Sequence, residues 1–139
     1  MTIEKTLAII KPDAVKRNLV GSIIKIIESN HLVIKDIKML KLTSAEAKKF
    51  YYIHEDKDFY PALIKYMTSY SVIVMILEGD NAVKSYRKIM GSTNPHEAAD
   101  KTIRKLYAEN TTYNSVHGSD STENAFSEIN FFFSNLVRK

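Results

Sequence analysis

The run Asn114-Ser115-Val116-His117-Gly118-Ser119-Asp120 brings a short apolar segment, a histidine, a glycine, a hydroxyl and a carboxylate together just ahead of a helical pattern. Asp120, with Glu123 three residues later, has the spacing of a helix N-cap and its reciprocal partner. Beyond it Ala125, Phe126, Ile129, Phe132, Phe133 and Leu136 recur at intervals of three and four, which predicts an amphipathic helix. Glu128 shares a face with Ala125 and Phe132, so a carboxylate points toward the core side, where charge is costly unless paired or used. His117, beside a helix start and backed by that carboxylate, has the surroundings of a nucleophile. A histidine that merely caps a turn accounts for the same residues, and the heptad alone does not choose between the two.

Outward from this stretch, the chain alternates strand and helix patterns. Thr6 to Ile10 is a short apolar run expected as a buried strand, and Lys11, which precedes Pro12, is biased to extended backbone at its end. Val20, Ile23, Ile24 and Ile27 have helical spacing, ended by Asn30-His31. Leu32 to Leu42 is strand-like, and its alternation changes phase between Ile34 and Ile37, which predicts a bulge. Thr43 and Glu46 form a capping box for a short helix through Tyr51. Pro61 suits the first turn of a helix carrying Leu63, Met67 and Tyr70. Val72 to Leu77 reads as a central strand, apolar on both faces. Asp80 is expected to cap the next helix and Gly91 to end it, while Ile103, Leu106 and Tyr107 mark another short helix. With no repeat, linker or low-complexity tract, residues 1–139 are expected to form one domain. The order of elements resembles a split β-α-β arrangement of the ferredoxin-like kind, an α+β sandwich.

The formal charge of +4 and pI of 9.2 suit an anionic ligand, but Lys and Arg are scattered, so nucleic acid is allowed without being indicated. The absence of cysteine excludes disulfides and thiolate metal sites and fits a reducing compartment. Met1-Thr2-Ile3-Glu4-Lys5 does not read as a signal peptide, and the longest apolar run, Val72 to Leu77, is too short for a membrane span. A cytoplasmic protein is expected.

The glycines, Gly21, Gly79, Gly91 and Gly118, make neither a P-loop nor a dinucleotide fingerprint. Any phosphate must therefore be held by side chains. Arg87, on the face of Val83 and Met90, Arg104, next to Ile103, and Lys11 at the end of the first strand are candidates, although each alone is more readily read as surface charge. His31 reads as a helix-end residue, and His54 and His96 as loop residues. A metal site at His54-Glu55-Asp56 lacks the look of a structural one, with adjacent ligands and no second cluster.

Lys11-Pro12-Asp13-Ala14, Thr93-Asn94-Pro95 and Asn114-x-x-His117-Gly118-Ser119-Asp120 together resemble the nucleoside diphosphate kinase family, with matching intervals from Thr6 to Phe133. The resemblance implies a four-stranded antiparallel sheet covered by helices. It implies transfer of the γ-phosphate of a nucleoside triphosphate to a nucleoside diphosphate, ribo or deoxyribo, in two half-reactions through a phosphohistidine. His117 would be the nucleophile. Lys11, Tyr51, Arg87, Thr93, Arg104 and Asn114 would contact phosphates, ribose or the reacting histidine, and Phe59 would stack on the base. Ser119 and Glu128 would orient and support the imidazole. Mg²⁺ would be held mainly by the nucleotide phosphates, with no protein metal site. A homo-oligomer, tetramer or hexamer, built from a common dimer would follow, with Leu32 to Leu42 as a candidate pairing edge. Both arginines would be dispensable for folding.

The chain departs from the family pattern at three places. Lys57-Asp58 precedes Phe59 where the family often has Arg or Lys and then Pro; Tyr70-Ser71 replaces a common Gly-Pro; and Tyr113 precedes Asn114 where many members carry Arg or Glu. A short C-terminus resembles that of bacterial members. The competing reading is a basic nucleic-acid-binding module on a ferredoxin-like sheet. It lacks the sheet signature of the common RNA-binding fold.

Overall fold

The structure is a computed structural model that describes residues 3–133. The elements are strand β1 (Ile3–Ile10), helices α1 (Pro12–Lys16) and α2 (Val20–Ser29), strand β2 (Val33–Leu40), helices α3 (Ser44–Phe50) and α4 (Tyr60–Met67), and strand β3 (Val72–Asp80). Helices α5 (Ala82–Met90) and α6 (Ile103–Tyr107), strand β4 (Val116–Gly118) and helix α7 (Thr122–Phe133) follow, and a single turn of 3₁₀ helix at Tyr52–His54 joins α3 to α4.

The four strands pair antiparallel in the order β2-β3-β1-β4, as the ferredoxin-like expectation required. The two central strands are apolar on both faces because both faces are covered. Ala8, Ile10, Ile73, Met75 and Leu77 pack with Ile23, Ile27, Ala82, Tyr86 and Ile103 on one side. Leu7, Ile9, Val72, Val74 and Ile76 pack with Ala47, Ile64, Met67, Phe132 and Phe133 on the other. At roughly 1.5–3 kcal/mol for each large aliphatic side chain fully buried, these two layers are the main source of stability.

The bulge expected in β2 lies between Ile34 and Asp36, where the register against β3 slips. It explains why Ile34 packs on the first core and Leu40 on the second, although their offset in sequence is even. The capping box is present: Thr43 Oγ1 accepts from Glu46 N–H at 3.1 Å and Glu46 Oε1 accepts from Thr43 N–H at 2.9 Å.

Several local readings are corrected. Ser121, not Asp120, caps α7, its Oγ accepting from Asn124 N–H at 3.0 Å. Asp80 ends β3, and the N-cap of α5 is Asn81, which tolerates the left-handed backbone (φ 49°) required there. Tyr70 lies beyond α4 and is exposed, because the helix ends at Met67. Phe126 and Leu106 are exposed rather than core, so the apolar stripes of α7 and α6 are narrower than the sequence suggested. Leu136 lies outside the described residues. Helix α1, starting on Pro12, was not anticipated.

Candidate active site

β4 pairs with β1 so that His117 lies opposite Ile9, at the end of the sheet order. The neighbouring Gly118 is what lets α5 approach. A Cβ built on it would lie 2.7 Å from Tyr86 Cδ2 and 3.0 Å from Met90 Sδ, and Tyr86 is fully buried. Gly118→Ala is therefore expected to destabilise the fold by about 1–3 kcal/mol, as overpacking does in close-packed cores. Urea unfolding checks this, and an unchanged midpoint would show that Tyr86 has room to move.

His117 Nε2 lies 2.9 Å from Glu128 Oε1, and Ser119 Oγ donates to the same oxygen at 2.7 Å. Burial alone would raise the Glu128 carboxyl, but the bonds and charge of His117 and the Ser119 hydroxyl outweigh it and hold the pKa below the ordinary value. Glu128 stays ionised and fixes the imidazole. Phe50 packs on the ring at 5.6 Å between centroids, nearly edge-on, and is itself braced by Phe131 and Phe132.

In front of His117 opens a cleft of about 590 Å³ whose walls include Tyr51, His54, Arg87, Thr93, Arg104 and Glu128. That volume is in the range of small-molecule sites. Arg87 donates to Asp120 at 2.7 Å and sits 3.4 Å from Gly118 O, so one guanidinium is aimed across the mouth. Arg104 is buried and donates to Val116 O at 2.8 Å, Gly91 O at 3.1 Å and Asn114 O at 3.4 Å. Burial lowers its pKa from the ordinary value, with Tyr86 opposing. The Tyr51 hydroxyl is buried without a hydrogen-bond partner among the described residues. Burial and the nearby Glu128 raise its pKa, so it stays a neutral phenol.

The residues singled out from the sequence are not all on the wall. Tyr51, Arg87, Thr93, Arg104, His117 and Glu128 line the cleft. Lys11 and Asn114 are buried and bonded to one another, Nζ to Oδ1 at 3.0 Å, and Arg104 reaches Asn114. Ser119 stands behind Glu128. Phe59 is half exposed and outside the cleft wall, but its ring lies 5.4 Å from that of His54, which is on the wall. His54, Phe50 and Asp120 are site residues that the sequence reading missed. His54 reads from the sequence only as a loop residue, and nothing local sets Phe50 apart.

Lys11 gives a pH signature. Burial, then the charge of Arg104, depresses its pKa from 10.5 to about 8, with Asp13 opposing. Binding of an anionic ligand that needs the ammonium is expected to weaken as pH rises through about 8. Folding stability should change in the opposite sense. Between about 8 and 10.5 the unfolded chain binds the proton and the folded one does not, so this residue makes stability rise with pH across that window. Ligand titrations and melting curves at pH 7 to 10 check both signs.

Among the described residues no three His, Cys, Asp or Glu side chains converge on a metal position. The carboxylates on the cleft wall are committed, Glu128 to His117 and Asp120 to Arg87. The residues do not fit a metal held by the protein.

A carboxylate-fixed histidine facing a cleft walled by guanidinium groups and a neutral phenol is the apparatus of a side-chain-based phosphotransferase. The family model for nucleoside diphosphate kinase matches residues 4–137, and the chain belongs to the nucleoside diphosphate kinase family. The nucleoside diphosphate kinases of Campylobacter curvus and Campylobacter fetus are 55% and 57% identical to it over 130 residues, 94% of this chain and 95% of each relative. The crystal structure of the Aquifex aeolicus nucleoside diphosphate kinase superposes with a TM-score of 0.94 at 38% identity, covering 97% of this chain and 98% of that one. A halophilic nucleoside diphosphate kinase from Halobacterium salinarum, solved in complex with CDP, superposes with a TM-score of 0.91 at 35% identity over 95% and 88% of the two chains. Membership makes the chain a nucleotide-dependent phosphotransferase and does not favour the nucleic-acid-binding alternative. No helix among the described residues is long and apolar enough to cross a membrane.

Proposed function

We propose that His117 accepts the γ-phosphate of a nucleoside triphosphate, ATP being the usual donor, and passes it to a nucleoside diphosphate. The observation that carries this is the 2.9 Å contact of Nε2 with Glu128. An Nε2–H donated to the carboxylate leaves the lone pair on Nδ1. That nitrogen attacks the γ-phosphorus, the bond to the β,γ-bridging oxygen breaks, and the diphosphate departs. A second diphosphate, ribo or deoxyribo, then takes the phosphoryl group by the reverse step. Glu128 stabilises the positive ring formed on attack, and Ser119 holds Glu128. Arg87 and Arg104 neutralise charge on the transferring oxygens, as preorganised donors in a water-poor site do most effectively. Lys11 and Asn114 support them from behind, with Thr93 and Tyr51 as hydroxyl donors on the wall. Phe59 stacks on the base, which tolerates purines and pyrimidines because every base has a π-face. Mg²⁺, if carried in with the nucleotide, would supply charge neutralisation beyond that of Arg87 and Arg104.

Residues 1–139 act as one cytoplasmic domain, in a homo-oligomer built from a common dimer, tetrameric or hexameric. Support for the dimer is β2, an outer strand of the sheet among the described residues, whose Val33, Ile37 and Met39 side chains are exposed. Light scattering at micromolar concentration should return an even multiple of 15.9 kDa, and a fully active monomer would refute the dimer. Incubation with ATP and Mg²⁺ followed by peptide mapping tests the nucleophile. An acid-labile phosphate on His117, discharged by a second nucleoside diphosphate, is the expected result. Phosphate found elsewhere, or direct transfer without a phosphoenzyme, would sink the assignment.

A further inference from the structure

Two residues before His117 the backbone does something that L residues avoid. Val116 N–H bonds back to Asn114 C=O at 2.9 Å, closing a three-residue turn around Ser115, whose φ is 73°. Such a turn persists only where its surroundings hold it. Arg104 grips the carbonyls on either side of Ser115, at Asn114 and Val116. The serine itself is fully buried, and it is held by Asp13: Ser115 Oγ donates to Asp13 Oδ2 at 3.0 Å, while Tyr66 Oη donates to Oδ1. Burial and the Asp13 charge raise the Tyr66 phenol, so Tyr66 remains a donor. Asp13 is carried on the first turn of α1, two residues after Lys11. The Lys11 N–H in turn donates to Ser115 C=O at 2.8 Å, and the Lys11 ammonium to Asn114.

We propose that Asp13 is a positioning residue that holds the strained Ser115 turn and thereby sets the placement of His117 relative to Lys11, Asn114 and Arg104. The carboxylate touches neither the cleft nor the reacting groups. It ties three separately folded pieces together: the turn that carries Lys11, the strand that carries the nucleophile, and, through Tyr66, the helix α4, whose N-cap is Phe59. The strain has a use in this arrangement. A relaxed extended residue at 115 would change the direction in which β4 leaves Asn114 and so the height of the imidazole over the arginines.

The inference rests on His117 being the phosphorylated residue, and the test separates the two ideas. Rates of phosphoenzyme formation from ATP are measured in single turnovers for the parent protein, Ser115→Ala, Asp13→Asn and Asp13→Ala, with melting temperature recorded for each. Ser115→Ala removes one hydrogen bond and is expected to slow phosphorylation on the order of ten- to a hundredfold, because small misplacements of reacting groups are that costly. Its KM for ATP and its melting temperature should change little. Asp13→Asn should stay close to the parent, since Oδ1 still accepts from Ser115 and Nδ2 donates to the Tyr66 oxygen. Asp13→Ala, if it folds, should be at least as slow as Ser115→Ala, and combining the two should add nothing. A Ser115→Ala protein phosphorylated at the parent rate overturns the proposal, as does an Asp13→Asn protein as slow as Asp13→Ala. A parent protein that forms no phosphohistidine at 117 overturns the functional assignment instead.

Discussion

Replacement of His117 by alanine is expected to abolish nucleotide-to-nucleotide phosphate transfer, lowering kcat on the order of 10⁴-fold or more, as loss of the nucleophile does in covalent mechanisms. The protein should remain folded. The imidazole is only partly buried, and its main partner, Glu128, keeps the Ser119 hydroxyl and gains room for water. Among the described residues no second histidine on the wall is paired with a carboxylate, since His54 packs against Phe59, and the chain has no cysteine. Nucleotide affinity should survive, because Arg87, Arg104 and Tyr51 are untouched. A variant with a normal melting temperature, normal nucleotide binding and no exchange is the signature. Exchange at a rate near that of the parent would mean that phosphate passes directly between two bound nucleotides, and the role given to Glu128 would be lost with it.

What could be read from the sequence was what is local. The apolar runs of β1 and β3, the phase slip in β2 and the capping box of α3 each depend on neighbours within a few positions, and each is present in the structure. Local reading failed where a distant partner competes. Asp120 has cap spacing, yet its carboxylate is used by Arg87, 33 positions away, and Ser121 takes over the cap. Helix α1 is too short to show a period, and Asp13 and Ser115 lie 102 positions apart, so nothing in either segment announces that they meet. His54 and Phe50 belong to the site only because a turn of 3₁₀ helix and the end of α3 deliver them beside His117 and Phe59. His117, Glu128 and the cationic residues were legible because the family resemblance supplied the intervals. The residue types alone would not have separated a nucleophile from a capped turn.

Arg87 and Arg104 were expected to be alike, each a phosphate donor dispensable for folding, and the structure separates them. Arg87 is half exposed, and its ion pair with Asp120, which is more exposed still, contributes little to stability. Arg87→Ala should leave the fold intact and lower kcat/KM by roughly ten- to a hundredfold, the about 1.5–3 kcal/mol of a charge-assisted donor. Arg104 is buried and holds three backbone carbonyls, at Gly91, Asn114 and Val116. These carbonyls belong to the end of α5, the strained turn and the start of β4, so its removal strands acceptors in the pieces that assemble the site. Each buried group left unsatisfied costs about 1–3 kcal/mol, and the three share one donor, so a total loss of about 3–5 kcal/mol is expected for Arg104→Ala. For a small domain that is a large part of the whole stability. Arg104→Lys should not repair it, since an ammonium on a single point cannot span three acceptors that a planar fork reaches. Chemical denaturation of both variants decides the matter. If Arg104→Ala unfolds at the parent midpoint and loses only activity, its bonds to the backbone are incidental and the guanidinium serves the substrate alone.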